Sequence, residues 1–415
     1  MDLKFIRENP ELVREIIRRR NEAVDLDKIL NLDEKRRKLI KERDDMQCRQ
    51  SQLTATIAEK KRNKQATEQE QKAAKELSLK IKRLAEELAV IEKEIDDLIQ
   101  FVPNVIHQTV SDQDQIVEQW GEIPKFDFQP LPHWELAQAL GLVDFKVAAK
   151  LAGTRFVLFK GKGALLERAL INFCLDYHTK NHGYEEISPP VLNLPVCFYN
   201  SGALPKLALE MYQFKDDPFY LIPTAEVPLV NIHRDEILAE TDLPKRYVAY
   251  TPCFRREAGS YGKDVRGMIR IHQFDKVELV KITKPEESYQ EFELMRQDAC
   301  RIMQLLKIPY RVKLLAAKEM AFQSAKTYDI DAWAAGVGDW LEVSSISNCE
   351  DFQTRRANIK IRRKNGKLEY AHAMNGSGLA FARIFIALVE NNQQRDGSII
   401  IPEVLRPYLG LDRIA

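Results

Sequence analysis

Polar and aromatic side chains that could bind a phosphorylated ligand recur at every second position of one segment. They are Arg270, His272, Phe274, Lys276 and Glu278. Residues 269–280 and 247–255 each predict a β-strand, and the glycine-rich, charged loop between them predicts an antiparallel pair. Alternation puts the five side chains on one face, away from Ile269 and Ile271. Such a face suits a ligand with phosphates, a ring and an amine, but an exposed sheet face with internal salt bridges explains it equally well.

A second candidate lies near the end of the chain, where residues 375–378 read Asn-Gly-Ser-Gly. Glycines allow the backbone to approach a ligand closely. Residues 379–390 predict a mostly apolar helix in which Arg383 is the one cation. Because a buried guanidinium without a partner is costly, we expect Arg383 to face an anion or a carboxylate; an arginine that reaches solvent is the alternative.

Two further short segments carry carboxylates. Thr224, Ala225 and Glu226 follow a proline in a predicted turn, where Glu226 could accept a hydrogen bond from an amine. Residues 340–345 predict a short strand that carries a carboxylate and hydroxyl groups. Oxygen ligands of this kind suit magnesium, although an ordinary strand with a surface glutamate has the same pattern.

The first hundred residues, which precede these segments, predict long helices and not strands and turns. Residues 1–100 contain one proline and no glycine, and residues 28–100 predict two helices with apolar heptad seams. The seams are Leu32, Leu39, Met46, Leu53 and Ile57, then Leu77, Ile81, Leu84, Leu88, Ile91, Ile95 and Leu98. Thr67 with Glu70 predicts a capping box that begins the second helix. The result is an antiparallel hairpin with arms about 50 Å long at ~1.5 Å per residue, which leaves no room for a pocket.

The charges of the two predicted helices are unequal. Residues 28–65 hold twelve cations and six anions, whereas the second helix is net acidic. A solvated coiled-coil surface is one interpretation of this pattern. The other is that the first helix faces the phosphates of a nucleic acid.

A change in amino-acid composition near residues 101–112 predicts a domain boundary. Prolines, glycines and short alternating segments follow it, and residues 165–180 predict a helix that ends before Gly183. We therefore predict an α+β chain with a coiled-coil arm at residues 1–105 and a second domain at residues 106–415.

Composition excludes several classes of protein. The net charge is +1, so a nucleic-acid surface would have to be local. The six cysteines are scattered without a Cys-x-x-Cys pair, which predicts neither a zinc site nor a disulfide framework. The first residues lack an apolar signal core and no run of about 18 apolar residues occurs, so we expect a cytoplasmic protein without a membrane span.

Together, these segments resemble the signature motifs of the class II aminoacyl-tRNA synthetases, and specifically those of the seryl-tRNA synthetases. The similar segments are the N-terminus at 1–10, motif 1 at 183–190, the serine-binding turn at 224–228, motif 2 at 254–278 and motif 3 at 375–383. Motif 2 is the most specific of them and motif 1 the least. The likeness covers nearly the whole chain, although Ser-Gly-Ala at 201–203 departs from the usual Thr-Gly-Gln.

The resemblance implies the class II fold, an antiparallel β-sheet flanked by helices, and a ligase that forms seryl-adenylate from serine and ATP. Arg255 and Arg383 would be catalytic, the first on the α-phosphate and serine carboxylate, the second on the γ-phosphate. The implied ATP-binding residues are Arg255, Arg256, Glu257, Arg270, Phe274, Glu342, Val343, Ser344, Ser345 and Arg383. The implied serine-binding residues are Thr224, Ala225, Glu226, Arg255, Glu278 and Ser377.

The same resemblance implies that Glu342 and Ser345 hold Mg²⁺ with ATP, and no zinc is expected. Residues three apart do not share a face of a regular strand, so we expect a bulge or bend between them.

The resemblance also implies macromolecular partners. The hairpin would grip the variable arm of serine tRNA, and of selenocysteine tRNA where one exists, within a homodimer paired through motif 1. A ligase that loads an amino acid onto a carrier protein is one alternative, although such proteins lack the long arm. A paralogue that has lost ATP chemistry is the other, and the intact motif residues argue against it.

Overall fold

A computed structural model describes residues 1–258 and 266–415 of the chain. The chain divides into two compact units, Met1–Pro103 and Asn104–Ala415. Gly259 and Gly262, which the sequence places in the loop of motif 2, lie outside the described residues. Within the described ranges, no helix is both long enough and apolar enough to cross a membrane.

The first unit is built from helices. They are α1 (Leu3–Glu8), α2 (Pro10–Arg19), α3 (Leu26–Arg62) and α4 (Glu68–Ile99). Lys28 of α3 pairs with Glu94 of α4 and Lys35 pairs with Glu87, each at 2.8 Å. The later residue of α3 thus pairs with the earlier residue of α4. The two helices therefore run antiparallel, as predicted.

Burial on the hairpin follows the predicted seams. All seven seam residues of α4 are buried or half-buried, with Leu88, Ile91 and Ile95 the most enclosed. The five of α3 are all half-buried, and most other hairpin side chains are exposed. Each helix therefore covers one apolar stripe of its partner, which is the geometry of a coiled coil.

The capping box predicted at Thr67 and Glu70 is wrong, although the helix does begin there. The Thr67 side chain accepts no hydrogen bond from the first turn of α4. Its hydroxyl instead accepts from the Gln71 amide at 2.8 Å. Glu70 pairs with Lys60 of α3. A contact between the helices has replaced the local one.

The second unit mixes helices and strands. Its described helices are α5 (His133–Ala139), α6 (Phe145–Ala152), α7 (Lys162–His182), α8 (Pro195–Ser201), α9 (Glu226–Val230), α10 (Ser288–Leu305), α11 (Phe352–Arg356), α12 (Phe381–Asn391) and α13 (Arg406–Leu409). Its described strands are β1 (Gln115–Trp120), β2 (Glu185–Glu186), β3 (Leu192–Asn193), β4 (Tyr220–Leu221), β5 (Ile237–Ala239), β6 (Lys245–Phe254), β7 (Gln273–Thr283), β8 (Tyr310–Leu314), β9 (Lys326–Ala334), β10 (Asp339–Asn348), β11 (Lys360–Arg362), β12 (Leu368–Tyr370), β13 (His372–Ala380), β14 (Ile399–Ile400) and β15 (Arg413–Ile414).

The central sheet carries the predicted antiparallel pair. Among the described strands its order is β1-β8-β9-β10-β13-β7-β6-β2. Neighbouring strands pair antiparallel except β2 and β6, which are parallel. Helix α7, which spans the predicted helix, ends at Gly183 in a left-handed conformation, as is usual for a helix C-terminus.

The second strand of the pair begins later than predicted. Residues 269–280 were expected to be strand, but β7 begins at Gln273, and Ile269 to His272 form bends and irregular backbone before it. The alternation holds from Phe274 to Leu279, where Val277 and Leu279 enter the main core. The opposite face is also largely covered, since Glu278 is 1% exposed. A simple exposed sheet face is therefore excluded.

The glycines of the Asn-Gly-Ser-Gly segment serve packing and do not form a ligand loop. The segment lies inside β13, and the helix begins only at Phe381. A Cβ on Gly376 would lie 2.9 Å from the Ile346 side chain, and one on Gly378 would lie 3.0 Å from the His178 ring. These glycines allow neighbouring side chains to approach the strand.

Candidate active site

A cavity of about 580 Å³ lies against β7, β10 and β13. Most of the predicted site residues line it together. They are Thr224, Glu226, Arg255, Glu257, Arg270, Phe274, Glu342, Val343, Ser344, Ser345, Ser377 and Arg383. They come from turns, strands and helices spread over 160 positions of the sequence, yet they all line the same cavity.

Three predicted residues are not among the cavity lining. Arg256 is exposed, and its backbone N–H donates to the Glu210 carbonyl at 2.8 Å. Ala225 is fully buried in a small core cluster beside β6 and β7. Glu278 lies directly behind the lining, where its carboxylate accepts a hydrogen bond from the Thr224 hydroxyl at 2.9 Å.

One end of the cavity concentrates buried charge around Thr224. The Lys276 ammonium donates to the Thr224 hydroxyl at 3.0 Å and pairs with the Glu278 carboxylate. Ser377 lies opposite Glu278 in the register of β13 and β7, at a bulge. A hydroxyl, an ammonium and a carboxylate thus form one hydrogen-bonded cluster, which suits a small zwitterion with a hydroxyl group.

Glu226 is the second carboxylate at this end. Amide groups of Gln353, Asn375 and Gln323 donate to its Oε1 atom at 2.6, 3.0 and 3.3 Å. Burial, together with the neighbouring Glu278 carboxylate, raises the pKa of the Glu226 carboxyl to about 7. Lys276 and the glutamine amides act in the opposite direction. The carboxylate is held in place by uncharged donors, which leaves its negative charge available to a cationic group.

The other end is lined by arginines and an aromatic ring. The Arg255 guanidinium lies over the Phe274 ring at 5.1 Å and donates to the Pro223 carbonyl at 3.3 Å. Arg270 pairs with Glu257 at 3.1 Å, which holds both residues above the cavity. Fixed guanidinium groups beside an aromatic face suit a nucleotide with its phosphates.

Arg383 faces a carboxylate, as predicted. Its guanidinium lies 3.5 Å from the Glu342 carboxylate and donates to the Glu342 carbonyl at 2.7 Å. The strand register shifts between Glu342 and Ser344, so the predicted bulge is confirmed. The bulge is what lets Glu342 and Ser345 both line the cavity.

The residues beside this bulge could hold a divalent cation. Asp329 of β9 lies opposite Ser345, and its Oδ1 atom is buried without a hydrogen-bond partner in the described chain. Burial and the Glu342 carboxylate raise the pKa of Asp329 to about 7, against a hydrogen bond from Ser345 that lowers it. Carboxylate and hydroxyl oxygens are ligands that Mg²⁺ accepts. No group of three or more His, Cys, Asp or Glu residues suited to a metal occurs among the described residues, so water and phosphate oxygens would have to complete the shell.

Sequence reasoning gave no role to several residues of this site. Lys276 was on the predicted face, and its position between Phe274 and Glu278 was a usable signal. Gln323 and Gln353 had no such signal, because they reach Glu226 from segments about a hundred or more positions away.

The arm carries a separate charged surface. Seven of the twelve cations of residues 28–65 form ion pairs within the arm. The remaining five have no ion pair in the part of the chain described here: Lys41, Arg49, Lys61, Arg62 and Lys64. Three of these five lie at or beside the turn that ends α3. We name Lys61, Arg62 and Lys64 the tip cluster.

Comparisons with known proteins agree with this arrangement. A family model described as the seryl-tRNA synthetase N-terminal domain matches residues 1–106. A second model, the tRNA synthetase class II core domain (G, H, P, S and T), matches residues 211–392, which include most of the cavity lining.

Full-length relatives show the same likeness. The chain is 48% identical to a serine–tRNA ligase of Thermodesulfovibrio yellowstonii and 50% identical to one of Thermotoga petrophila, with 100% of each chain covered. The seryl-tRNA synthetase of Pyrococcus horikoshii, solved in complex with ATP, superposes with a TM-score of 0.95 at 34% identity. That match covers 100% of this chain and 99% of the other.

Proposed function

The chain belongs to the seryl-tRNA synthetase family, and from that premise we propose how its residues carry out the family's reaction. The reaction is the ATP-dependent ligation of serine to tRNA. The observation that carries the assignment of roles is one cavity whose lining brings Thr224 and Glu226 together with Arg255 and Arg383. Glu278 lies behind that lining, bonded to Thr224.

Serine binds at the end of the cavity that holds the buried carboxylates. Its ammonium group pairs with Glu226, and its hydroxyl bonds to Glu278 and Ser377. Lys276, which we had not assigned, holds Glu278 and Thr224 in position. A site with buried polar groups rejects an amino acid that leaves them unpaired, so alanine is excluded by the loss of a hydroxyl.

ATP binds at the arginine-rich end. Phe274 stacks on the adenine, Glu257 accepts from its amino group and Arg383 pairs with the γ-phosphate. Arg255 reaches both the α-phosphate and the serine carboxylate, which aligns one carboxylate oxygen with the phosphorus. That oxygen forms a bond to phosphorus as the bond to pyrophosphate breaks, and no enzyme base is needed because the carboxylate is already a nucleophile.

The terminal ribose of tRNA then attacks the seryl carbonyl, and AMP leaves.

Glu342 and Ser345, with Asp329 beside them, would hold the Mg²⁺ of ATP. When bound, this cation neutralises phosphate charge. The paired position of Arg383 on Glu342 means that the guanidinium must move from the carboxylate to the phosphate on binding.

The arm, residues 1–105, supplies tRNA binding. The tip cluster and the two other unpaired cations of α3 are free to contact phosphates, whereas Lys28, Lys35 and Lys38 of α3 are already neutralised by ion pairs. The variable arm of serine tRNA, and of selenocysteine tRNA where present, is the ligand that we assign to this surface. Cations that release counterions from phosphates give salt-dependent binding.

A homodimer formed through residues 183–190 completes the proposal, and we place the protein in the cytoplasm. Beside that segment Leu192, Leu194 and Val196 are each 40–44% exposed, which is unusual for three neighbouring apolar side chains. A two-fold interface would cover the same patch on both copies. Sedimentation of a single species near 48 kDa at micromolar concentration would contradict it.

Pyrophosphate exchange with ATP tests the assignment of serine. Purified protein should show exchange with serine, and exchange with alanine at on the order of one hundredth of that rate or less. Exchange with alanine equal to that with serine would contradict the hydroxyl site. Exchange with serine but transfer to a carrier protein instead of tRNA would favour the alternative ligase.

A further inference from the structure

His133 is a fully buried histidine that the proposed reaction does not use. It lies at the first position of α5, and none of its surface is exposed. Its Nδ1 atom is 2.8 Å from the Glu390 carboxylate, and its Nε2 atom is 3.1 Å from the backbone nitrogen of Met268. A backbone N–H can only donate, so Nε2 must be the acceptor and Nδ1 must carry the proton.

The carboxylate behind His133 is itself fixed. Glu390, at the end of α12, is fully buried and accepts from four N–H groups. The His133 ring and backbone donate to Oε1, and the backbones of Gly336 and Val337 donate to Oε2 at 2.8 and 2.9 Å. A carboxylate with all its donors in place cannot rotate, so the imidazole it holds has one orientation.

The segment that His133 holds is the one that presents the nucleotide-binding residues. Directly after Met268, the Ile269 carbonyl accepts from Arg383 at 3.3 Å, and Arg270 pairs with Glu257 at 3.1 Å. Arg383 and Glu390 are seven residues apart on α12, so their side chains lie on the same face of the helix. At ~1.5 Å per residue they are about 10 Å apart along its axis. One helix therefore holds residues 268–269 at two points, directly through Arg383 and indirectly through His133.

The backbone passes so close to the imidazole that only glycine fits at position 267. A Cβ on Gly267 would lie 2.1 Å from the His133 Nε2 atom, and this residue has a φ of +67°. This close contact between ring and backbone therefore depends on two residue types, a histidine at position 133 and a glycine at position 267.

We propose that His133 is a positioning residue for ATP, which sets residues 268–270 through its hydrogen bond to the Met268 backbone. The inference rests on the proposed function, because it takes residues 268–270 to be the nucleotide-binding segment. Without an acceptor at this point, a buried N–H is left unpaired and the segment relaxes. Arg270 and Arg383 then lose their shared support, while the serine end of the cavity keeps its own contacts.

Two substitutions separate the two ring nitrogens. An asparagine side chain reaches the Nδ1 position of histidine, and a glutamine oxygen reaches the Nε2 position. His133→Asn therefore keeps a donor for Glu390 but has no acceptor for Met268, whereas His133→Gln restores that acceptor. Gln393→Ala is the control, because Gln393 bonds both the N–H and the carbonyl of Leu131 in the same loop, and none of its side-chain hydrogen bonds in the described chain reaches Met268.

The measured quantities are the KM for ATP and the KM for serine in pyrophosphate exchange, and the rise in unfolding temperature that ATP causes. We expect His133→Asn to raise the KM for ATP roughly tenfold, with the KM for serine within twofold. His133→Gln should raise it less than threefold, and Gln393→Ala should leave the ratio of the two constants unchanged. If His133→Asn does not fold, Gly267→Ala should give the same selective loss, since it displaces the same backbone from the ring.

Equal effects of His133→Asn and His133→Gln would overturn the proposal, as would a proportionate rise of both KM values or no change in either variant. The ATP-induced rise in unfolding temperature separates this failure from failure of the proposed function. If the unsubstituted protein binds ATP but shows no exchange with serine, the function is wrong. If it exchanges and His133→Asn loses no ATP response, the positioning role is wrong.

Discussion

The arm and the catalytic unit use charge in opposite ways. On the arm most cations lie on exposed helix surfaces, and three of the five unpaired ones lie at or beside the turn that ends α3. In the catalytic unit the charges at the end of the cavity where we propose that serine binds are enclosed, with Glu226 and Lys276 each 8% exposed. Exposed charge gives long-range, salt-dependent attraction, whereas enclosed charge gives selectivity because each group must find a partner.

This difference explains why the two units respond to different changes. A surface that binds phosphates by several equivalent cations loses affinity in small steps. A cavity in which each polar group has one position loses function when a single group is removed. The predictions below use substitutions that should affect one unit and leave the other intact.

The largest effect is expected for Arg255→Ala. Arg255 is the cation that we place at the reacting phosphorus, and one such contact is typically worth about 10²–10³ in rate. Serine-dependent exchange should fall by that factor, while tRNA affinity in a filter-binding assay stays within twofold. Exchange within a factor of two of the unsubstituted protein would show that another residue does this work.

The next largest effect is expected from a change of pH, which should affect serine activation and leave tRNA binding unchanged. The carboxyl of Glu226 has a raised pKa of about 7, so it becomes neutral as the pH falls below 7 and can no longer pair with an ammonium group. We expect kcat/KM for serine to fall about tenfold per pH unit below 7. Affinity for tRNA should change little between pH 6 and 8, because lysine and arginine stay charged there.

A variant of Gln353 checks the cause of that pH dependence. The Gln353 amide donates to Glu226 and lowers the pKa of its carboxyl. Gln353→Met removes the donor, so the midpoint should move to higher pH. A midpoint that stays in place would contradict the assignment of the titration to Glu226.

Sequence was a reliable guide wherever the signal is periodic or local. The seams from Leu77 to Leu98 predicted the hairpin, because one apolar stripe every 3.5 residues leaves few alternatives. The bulge at Glu342 followed from the spacing of Glu342 and Ser345, once the family resemblance gave both residues one ligand. Contacts between distant segments could not be predicted in this way. The capping box was replaced by a Lys60–Glu70 pair, the glycines of β13 serve packing, and no pattern indicates that Gln353 reaches Glu226.

The smallest effect is expected at the tip cluster. Charge reversal of Lys61, Arg62 and Lys64 should weaken tRNA binding several-fold and reduce the slope of its salt dependence by about 2–3, at 0.7–0.9 per contact. Lys60 is left unchanged because it already pairs with Glu70. Serine-dependent exchange should be unaffected. Reversal of three exposed lysines of α4, Lys75, Lys80 and Lys93, is the matched control, and an equal effect there would show that the arm binds by net charge alone.

Removal of the outer arm tests the division of labour most directly. Replacing residues 40–83 with a short glycine linker removes all five unpaired cations but keeps Asp33 with its arginine partners and the Lys35–Glu87 pair. We predict exchange with serine within twofold of the full chain and a loss on the order of a hundredfold in kcat/KM for charging serine tRNA. Charging at the rate of the full chain would show that the arm does not hold the tRNA. Loss of exchange would show that serine activation in the cavity depends on the arm.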